Sequence, residues 1–214
     1  MAEPVVVLGG TFDPVHIGHL RVALEAAEAL GASVRLMPAH VPPHRPKPVA
    51  NAAQRVAVLR AALAGQDRLQ LDTRELDRSE PSYTVDTLRQ MRTEFGASRP
   101  LILLLGADAF AGLPSWHCWR ELFDLAHIAV MTRPGHDARL PADLDTEVVA
   151  RRAQSAADLR ATPSGKVLHL PVTSLEISAS AVRAVLAAGR NPRWLIPDAL
   201  LADPRLLAAY RDAR

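Results

Sequence analysis

The chain predicts an α/β fold of the doubly wound kind, with a mainly parallel sheet and a small helical region at the C-terminal end. Three observations carry that expectation. Short apolar runs of strand length alternate with longer stretches whose apolar residues recur at helical spacing. The run at 101–105, Leu-Ile-Leu-Leu-Leu, is uninterrupted, as in a strand covered on both faces. Several helical stretches stop at a glycine, among them Gly31, Gly65, Gly96 and Gly189. Such alternation favours parallel strands joined by crossover helices.

Taken in order, residues 5–8 (Val-Val-Val-Leu) form the first strand. A helix over 18–30 follows, with Leu20, Ala23, Leu24, Ala27 and Leu30 on one stripe. Residues 33–37 make the second strand, 52–64 a helix and 68–72 a short strand. Thr84 is placed to cap a helix that runs to Phe95. After the apolar run at 101–105, residues 127–132 and 166–170 supply two further strands. Residues 145–160 and 180–188 read as helices, and Asp203-Pro204 as an N-cap followed by proline at the first helical position. Prolines at 38, 42, 43, 46 and 48 mark a loop.

With 214 residues and 49% apolar content the chain can bury a sizeable core, and we expect one domain spanning 1–214. The formal charge is +2, from 25 basic and 23 acidic side chains, so no basic excess suits a nucleic-acid partner. No apolar run approaches membrane-spanning length and no leader pattern opens the chain, so a cytoplasmic protein without a membrane partner is expected. The single cysteine, Cys118, has no internal disulfide partner; beside His117 it reads as a packed or partly exposed thiol rather than a nucleophile.

The first strand runs into Gly9-Gly10-Thr11-Phe12-Asp13-Pro14-Val15-His16-Ile17-Gly18-His19. A glycine turn between a strand and a helix lets backbone N–H groups approach phosphate oxygens, beside the positive end of the helix dipole. The turn lacks the Gly-Lys-Ser/Thr ending of a P-loop, and its glycines miss the dinucleotide spacing. His16 and His19, three apart at a helix start, share a face and can reach one ligand together; one packed and one surface histidine is the plainer alternative. Asp13 beside Pro14 suits a turn-shaping role. His16, His19 and His44 together suggest zinc only weakly, because no acidic residue accompanies them, and Pro42 and Pro43 prevent His40 and His44 from sharing a helical face. No protein ligand for a metal is assigned.

The turn resembles the His-x-Gly-His signature of the nucleotidylyltransferase superfamily. A second superfamily signature, Ile-Ser-x-Thr-x-x-Arg, is matched by Ile177-Ser178-Ala179-Ser180-Ala181-Val182-Arg183, with Ser180 where threonine is usual. Between them, Pro42-Pro43-His44-Arg45, Pro81-Ser82-Tyr83-Thr84, Gly106-Ala107-Asp108, Pro114-Ser115-Trp116 and Thr132-Arg133-Pro134-Gly135 are similar, in order and spacing, to bacterial nicotinate-nucleotide adenylyltransferases. The resemblance covers nearly the whole chain. Pro38-Ala39-His40-Val41 matches least well, and His40 receives no role.

The resemblance implies a Rossmann-like nucleotidylyltransferase fold and the transfer of AMP from ATP to nicotinate mononucleotide, giving deamido-NAD and pyrophosphate in NAD biosynthesis. It implies that His16, His19, His44, Arg45 and Arg183 stabilise the reacting phosphates. Gly9, Gly10, Thr11, Phe12, Asp108, Ile177 and Ser178 fall on the ATP side; Tyr83, Thr84, Trp116, His117 and Arg133 fall on the nicotinate mononucleotide side. Magnesium is implied with ATP, held mainly by the triphosphate and water, and a homo-oligomer is allowed. Another adenylyltransferase with a pantetheine-phosphate acceptor, or a nucleotide-binding module without turnover, are the competing readings.

Overall fold

The computed structural model describes residues 3–40, 47–78, 83–132 and 140–211. Six strands form one sheet: β1 (Val5–Gly10), β2 (Val34–Pro38), β3 (Leu69–Leu71), β4 (Leu101–Gly106), β5 (His127–Thr132) and β6 (Val167–Pro171). Their spatial order is β3-β2-β1-β4-β5-β6, and each pairing is parallel. This is the Rossmann-type order, in which the chain winds outward from β1 in one direction and from β4 in the other. The register places Leu8 against Leu36 on one side and Leu104 on the other.

The apolar strand runs form because both faces of the sheet are covered. Val6, Leu8, Ile102 and Leu104 pack into one core with Ala23, Ala26, Ala27 and Leu30 of α1 (Ile17–Leu30) and Val58 and Leu59 of α2 (Ala52–Ala62). Val5, Val7, Leu101, Leu103 and Leu105 pack into the other, with Val85, Leu88 and Met91 of α3 (Thr84–Phe95). Alternate residues of β1 and β4 thus face opposite cores, which explains why neither strand carries a polar side chain within the sheet.

Several boundaries depart from expectation for local reasons. The helix start is Ile17, with His16 as N-cap. Tyr83, not Thr84, occupies the N-cap of α3, and no side chain caps it. Asn51 and Gln54 cap α2 reciprocally, each side chain accepting the other's backbone N–H at 2.9 Å. The expected helix over 145–160 is two: α6 (Ala142–Arg151) and α7 (Ala156–Arg160) follow the short helices α4 (Ala107–Ala111) and α5 (Glu121–Leu125). The break arises where the Ala153 N–H donates to the Val167 carbonyl at 2.8 Å, pulling the chain to the sheet edge. Asp158 then accepts the N–H groups of Gln154 and Ser155, so that a new helix can begin. Beyond β6 come α8 (Ala179–Ala187), α9 (Asp198–Ala202) and α10 (Ala208–Arg211). Asp203 caps a 3-10 turn over Pro204–Leu207 rather than an α-helix. These C-terminal elements close the α1–α2 side through Leu186, Leu200, Leu207 and Tyr210.

Candidate active site

The winding direction reverses between β1 and β4, and the crevice beyond their C-terminal ends is where a ligand fits such a sheet. An open cleft of about 1270 Å³ lies there. It is lined by Gly9, Gly10, Thr11, Phe12, His16 and His19 from the turn after β1; Asp108 from the start of α4; and Ile177, Ser178 and Arg183 at the start of α8. Tyr83 and Thr84 at the start of α3, with Trp116 and His117, line its other end. The structure therefore brings fourteen of the sequence-indicated positions onto one surface. His44, Arg45 and Arg133 lie outside the described residues.

The turn is shaped by close packing. The Phe12 ring folds under Gly10, where an added Cβ would meet ring carbon at 2.9 Å, and it meets the His19 ring edge-on at 5.1 Å. With Phe12 only 2% exposed, its side chain is core, so any contact with a nucleotide is left to its backbone. Gly18 leaves room for the His16 ring, whose Nδ1 would lie 3.1 Å from a Cβ there.

The two imidazoles stack, with centroids 3.6 Å apart. The His16 backbone N–H donates to His19 Nδ1 at 3.3 Å, which places the proton of the neutral His19 ring on Nε2 and makes that atom a donor. Burial lowers the His16 pKa to about 4. Burial, and then the neighbouring His16, lower His19 to about 3. Near neutral pH both rings are uncharged, so among the described residues lining the cleft positive charge comes from Arg183 and Lys47. One Arg183 nitrogen donates to the Asp13 carbonyl at 2.7 Å and the other to Ser180 Oγ at 3.2 Å. Serine at 180 thus keeps the hydroxyl contact that threonine would make.

Asp13 is a structural residue of this turn: its buried carboxylate accepts the N–H groups of Val49 and Ala50 at 2.8 and 3.0 Å. Arg55 of α2 went unassigned in the sequence. It is 2% exposed and donates to the carbonyls of Thr11 at 2.8 Å and His40 at 3.3 Å, tying the turn after β1 to the segment after β2. At the far end Trp116 is half-buried against the α3 core, and the rings of Tyr83 and His117 meet at 4.8 Å. Cys118 is exposed, its sulfur 3.4 Å from His117 Nε2.

Among the described residues the donor set offers no cluster suited to holding a metal: no group of three His, Cys, Asp or Glu side chains stands together. Asp13 accepts backbone N–H groups on both carboxylate oxygens, and His19 Nδ1 accepts the His16 N–H. No helix among the described residues is long and apolar enough to cross a membrane.

Residues 7–185 match the cytidylyltransferase-like family model. Two relatives carry the name "Probable nicotinate-nucleotide adenylyltransferase". That of Pseudomonas putida (strain W619) is 48% identical over 96% of this chain and 94% of its own. That of Dechloromonas aromatica (strain RCB) is 45% identical over 100% of both. In fold the chain is similar to the Plasmodium falciparum nicotinic acid mononucleotide adenylyltransferase solved with NaAD, at TM-score 0.71 and 14% identity over 100% of both chains. The same protein solved with APC gives TM-score 0.70. Near-full-length identity of this order, on a sheet that sets both superfamily signatures on one cleft, shows that the chain belongs to the nicotinate-nucleotide adenylyltransferase family of enzymes.

Proposed function

We propose that the protein joins the AMP moiety of ATP to nicotinate mononucleotide, producing deamido-NAD and pyrophosphate as a step of NAD biosynthesis. The observation that carries this reading is the continuity of the cleft: the His16, His19 and Arg183 end and the Tyr83, Trp116 and His117 end open into one space. A phosphate-binding end beside an aromatic end fits a dinucleotide product. The relatives' names and the fold support the same substrates.

In the proposed step an oxygen of the mononucleotide phosphate attacks the α-phosphorus in line. A new P–O–P bond forms as the bond from the α-phosphorus to the β-bridging oxygen breaks, and pyrophosphate leaves with that electron pair. The attacking group is already anionic, so no strong general base and no covalent enzyme intermediate are needed; positioning and charge stabilisation dominate. His19 Nε2–H is a neutral donor toward the α- and β-phosphate region, and Arg183 supplies positive charge as the leaving group develops. His44 and Arg45 are proposed to clamp the phosphates, and Arg133 to pair with the mononucleotide phosphate. Magnesium enters as the ATP complex rather than through protein ligands. Residues 1–214 are read as one domain, working in the cytoplasm where both nucleotides are dissolved.

Labelled pyrophosphate distinguishes direct transfer from a covalent route. With ATP and enzyme alone, no label should exchange into ATP, whereas addition of nicotinate mononucleotide should yield deamido-NAD. Exchange without the acceptor would contradict direct attack.

A further inference from the structure

Between β3 and α3 the chain buries a carboxylate that the phosphate chemistry does not use. Glu75 is 9% exposed and lines the acceptor end of the cleft alongside Tyr83, Thr84 and Thr87. Its Oε1 accepts the Thr87 hydroxyl at 2.7 Å, and the same hydroxyl oxygen accepts from an Arg78 nitrogen at 3.0 Å. The second Arg78 nitrogen donates to the Gln90 amide oxygen, one turn further along α3. Thr87 itself is 3% exposed, and its backbone N–H donates to the Tyr83 carbonyl at 3.2 Å.

The bonds therefore fasten the segment before residue 79 to the first turn of α3. That turn matters because it has no side-chain cap. The N–H groups in the first turn of a helix have no intrahelical partner four residues back, and this turn begins where Tyr83 and Thr84 border the cleft. Donors recognise a carboxylate only if they are held in place, and a carboxylate as near as Glu75 opposes an acidic ligand unless its charge is tied down. Burial pushes the Glu75 carboxyl above its usual range, while the Thr87 hydroxyl and the Arg78 guanidinium pull it back. The arrangement thus holds the first turn of α3 and offsets the charge of Glu75, which the nearby Asp72 carboxylate also disfavours.

We propose that Glu75, Thr87 and Arg78 are positioning residues for the acid-bearing acceptor, fixing the N-terminal turn of α3 so that its backbone donors meet the pyridine carboxylate. The inference rests on the reading that nicotinate mononucleotide is the acceptor. Thr87→Val keeps the side-chain shape and deletes the hydroxyl. It should raise KM for nicotinate mononucleotide about 10-fold, the scale of one buried hydrogen bond to a charged group, with KM for ATP unchanged. Thr87→Ser should restore most of that loss, and Arg78→Met should move the acceptor KM in the same direction while leaving the Glu75–Thr87 contact in place. Titration of nicotinate mononucleotide alone, followed by tryptophan fluorescence, should show the same weakening. Equal changes in both KM values, or an unchanged acceptor KM and affinity in Thr87→Val and Arg78→Met alike, would overturn the proposal. A wild type that binds and adenylylates another acceptor but not nicotinate mononucleotide would overturn the underlying reading and the inference with it.

Discussion

His16 and His19 sit at the point where one backbone N–H, one stacking contact and one glycine combine to set the chemistry of two rings. The signature spacing made the pair legible in the sequence, but not its protonation. That follows from the stack and the burial, which leave both rings neutral and His19 as an Nε2–H donor. His19→Ala should therefore stay folded and lose about 10²- to 10³-fold in kcat, the effect of removing one transition-state donor; near-normal turnover with an unchanged melting curve would contradict its role. The same burial has a second consequence. His16, His19 and the fully buried His127 all have folded-state pKa values below the ordinary histidine value. An unfolded chain takes up protons on these rings first, so stability should be fully present above about pH 6.5 and fall as pH drops toward 4. Urea midpoints at pH 7 and pH 5 check this: a lower midpoint at pH 5 is expected. Arg55 escaped notice because an arginine inside a polar-looking helix reads as a solvated side chain. Only the fold reveals that it points inward, at the carbonyls of Thr11 and His40.

At the scale of elements, long periodic or wholly apolar stretches were legible and short or edge-bound ones were not. The run at 101–105 is β4, the central strand buried on both faces, and Leu103 is 4% exposed in the α3-side core. Leu103→Ala should destabilise by about 2–5 kcal/mol through lost burial and an unfilled cavity; a change under about 1 kcal/mol would mean that the strand is not packed as described. The expected helix over 145–160 failed because periodicity says nothing of a sheet edge competing for the backbone. Ala153 pairs with Val167, and the helix must restart at Ala156. Helices as short as α4, α5 and α9 contain too few turns to show a period. Tyr83 displaced Thr84 from the cap of α3 for a different reason: hydroxyl chemistry favours a threonine cap, but the structure leaves this terminus without a side-chain cap, facing the cleft.

For the whole molecule, the alternating order of strands and helices foretold the doubly wound sheet, and the reversal between β1 and β4 explains why segments far apart in the chain share one cleft. A topology of this kind accommodates many acceptors, so the fold alone leaves the second substrate undetermined. In the proposed reading, the acceptor is selected by the end lined by Tyr83, Trp116 and His117, with Glu75, Thr87 and Arg78 as its brace. The most direct test measures pyrophosphate release by the wild-type protein with ATP and, in turn, nicotinate mononucleotide, nicotinamide mononucleotide and phosphopantetheine. The highest kcat/KM should belong to nicotinate mononucleotide, with deamido-NAD as the product. Preference for phosphopantetheine, or silence with all three acceptors, would contradict the assignment.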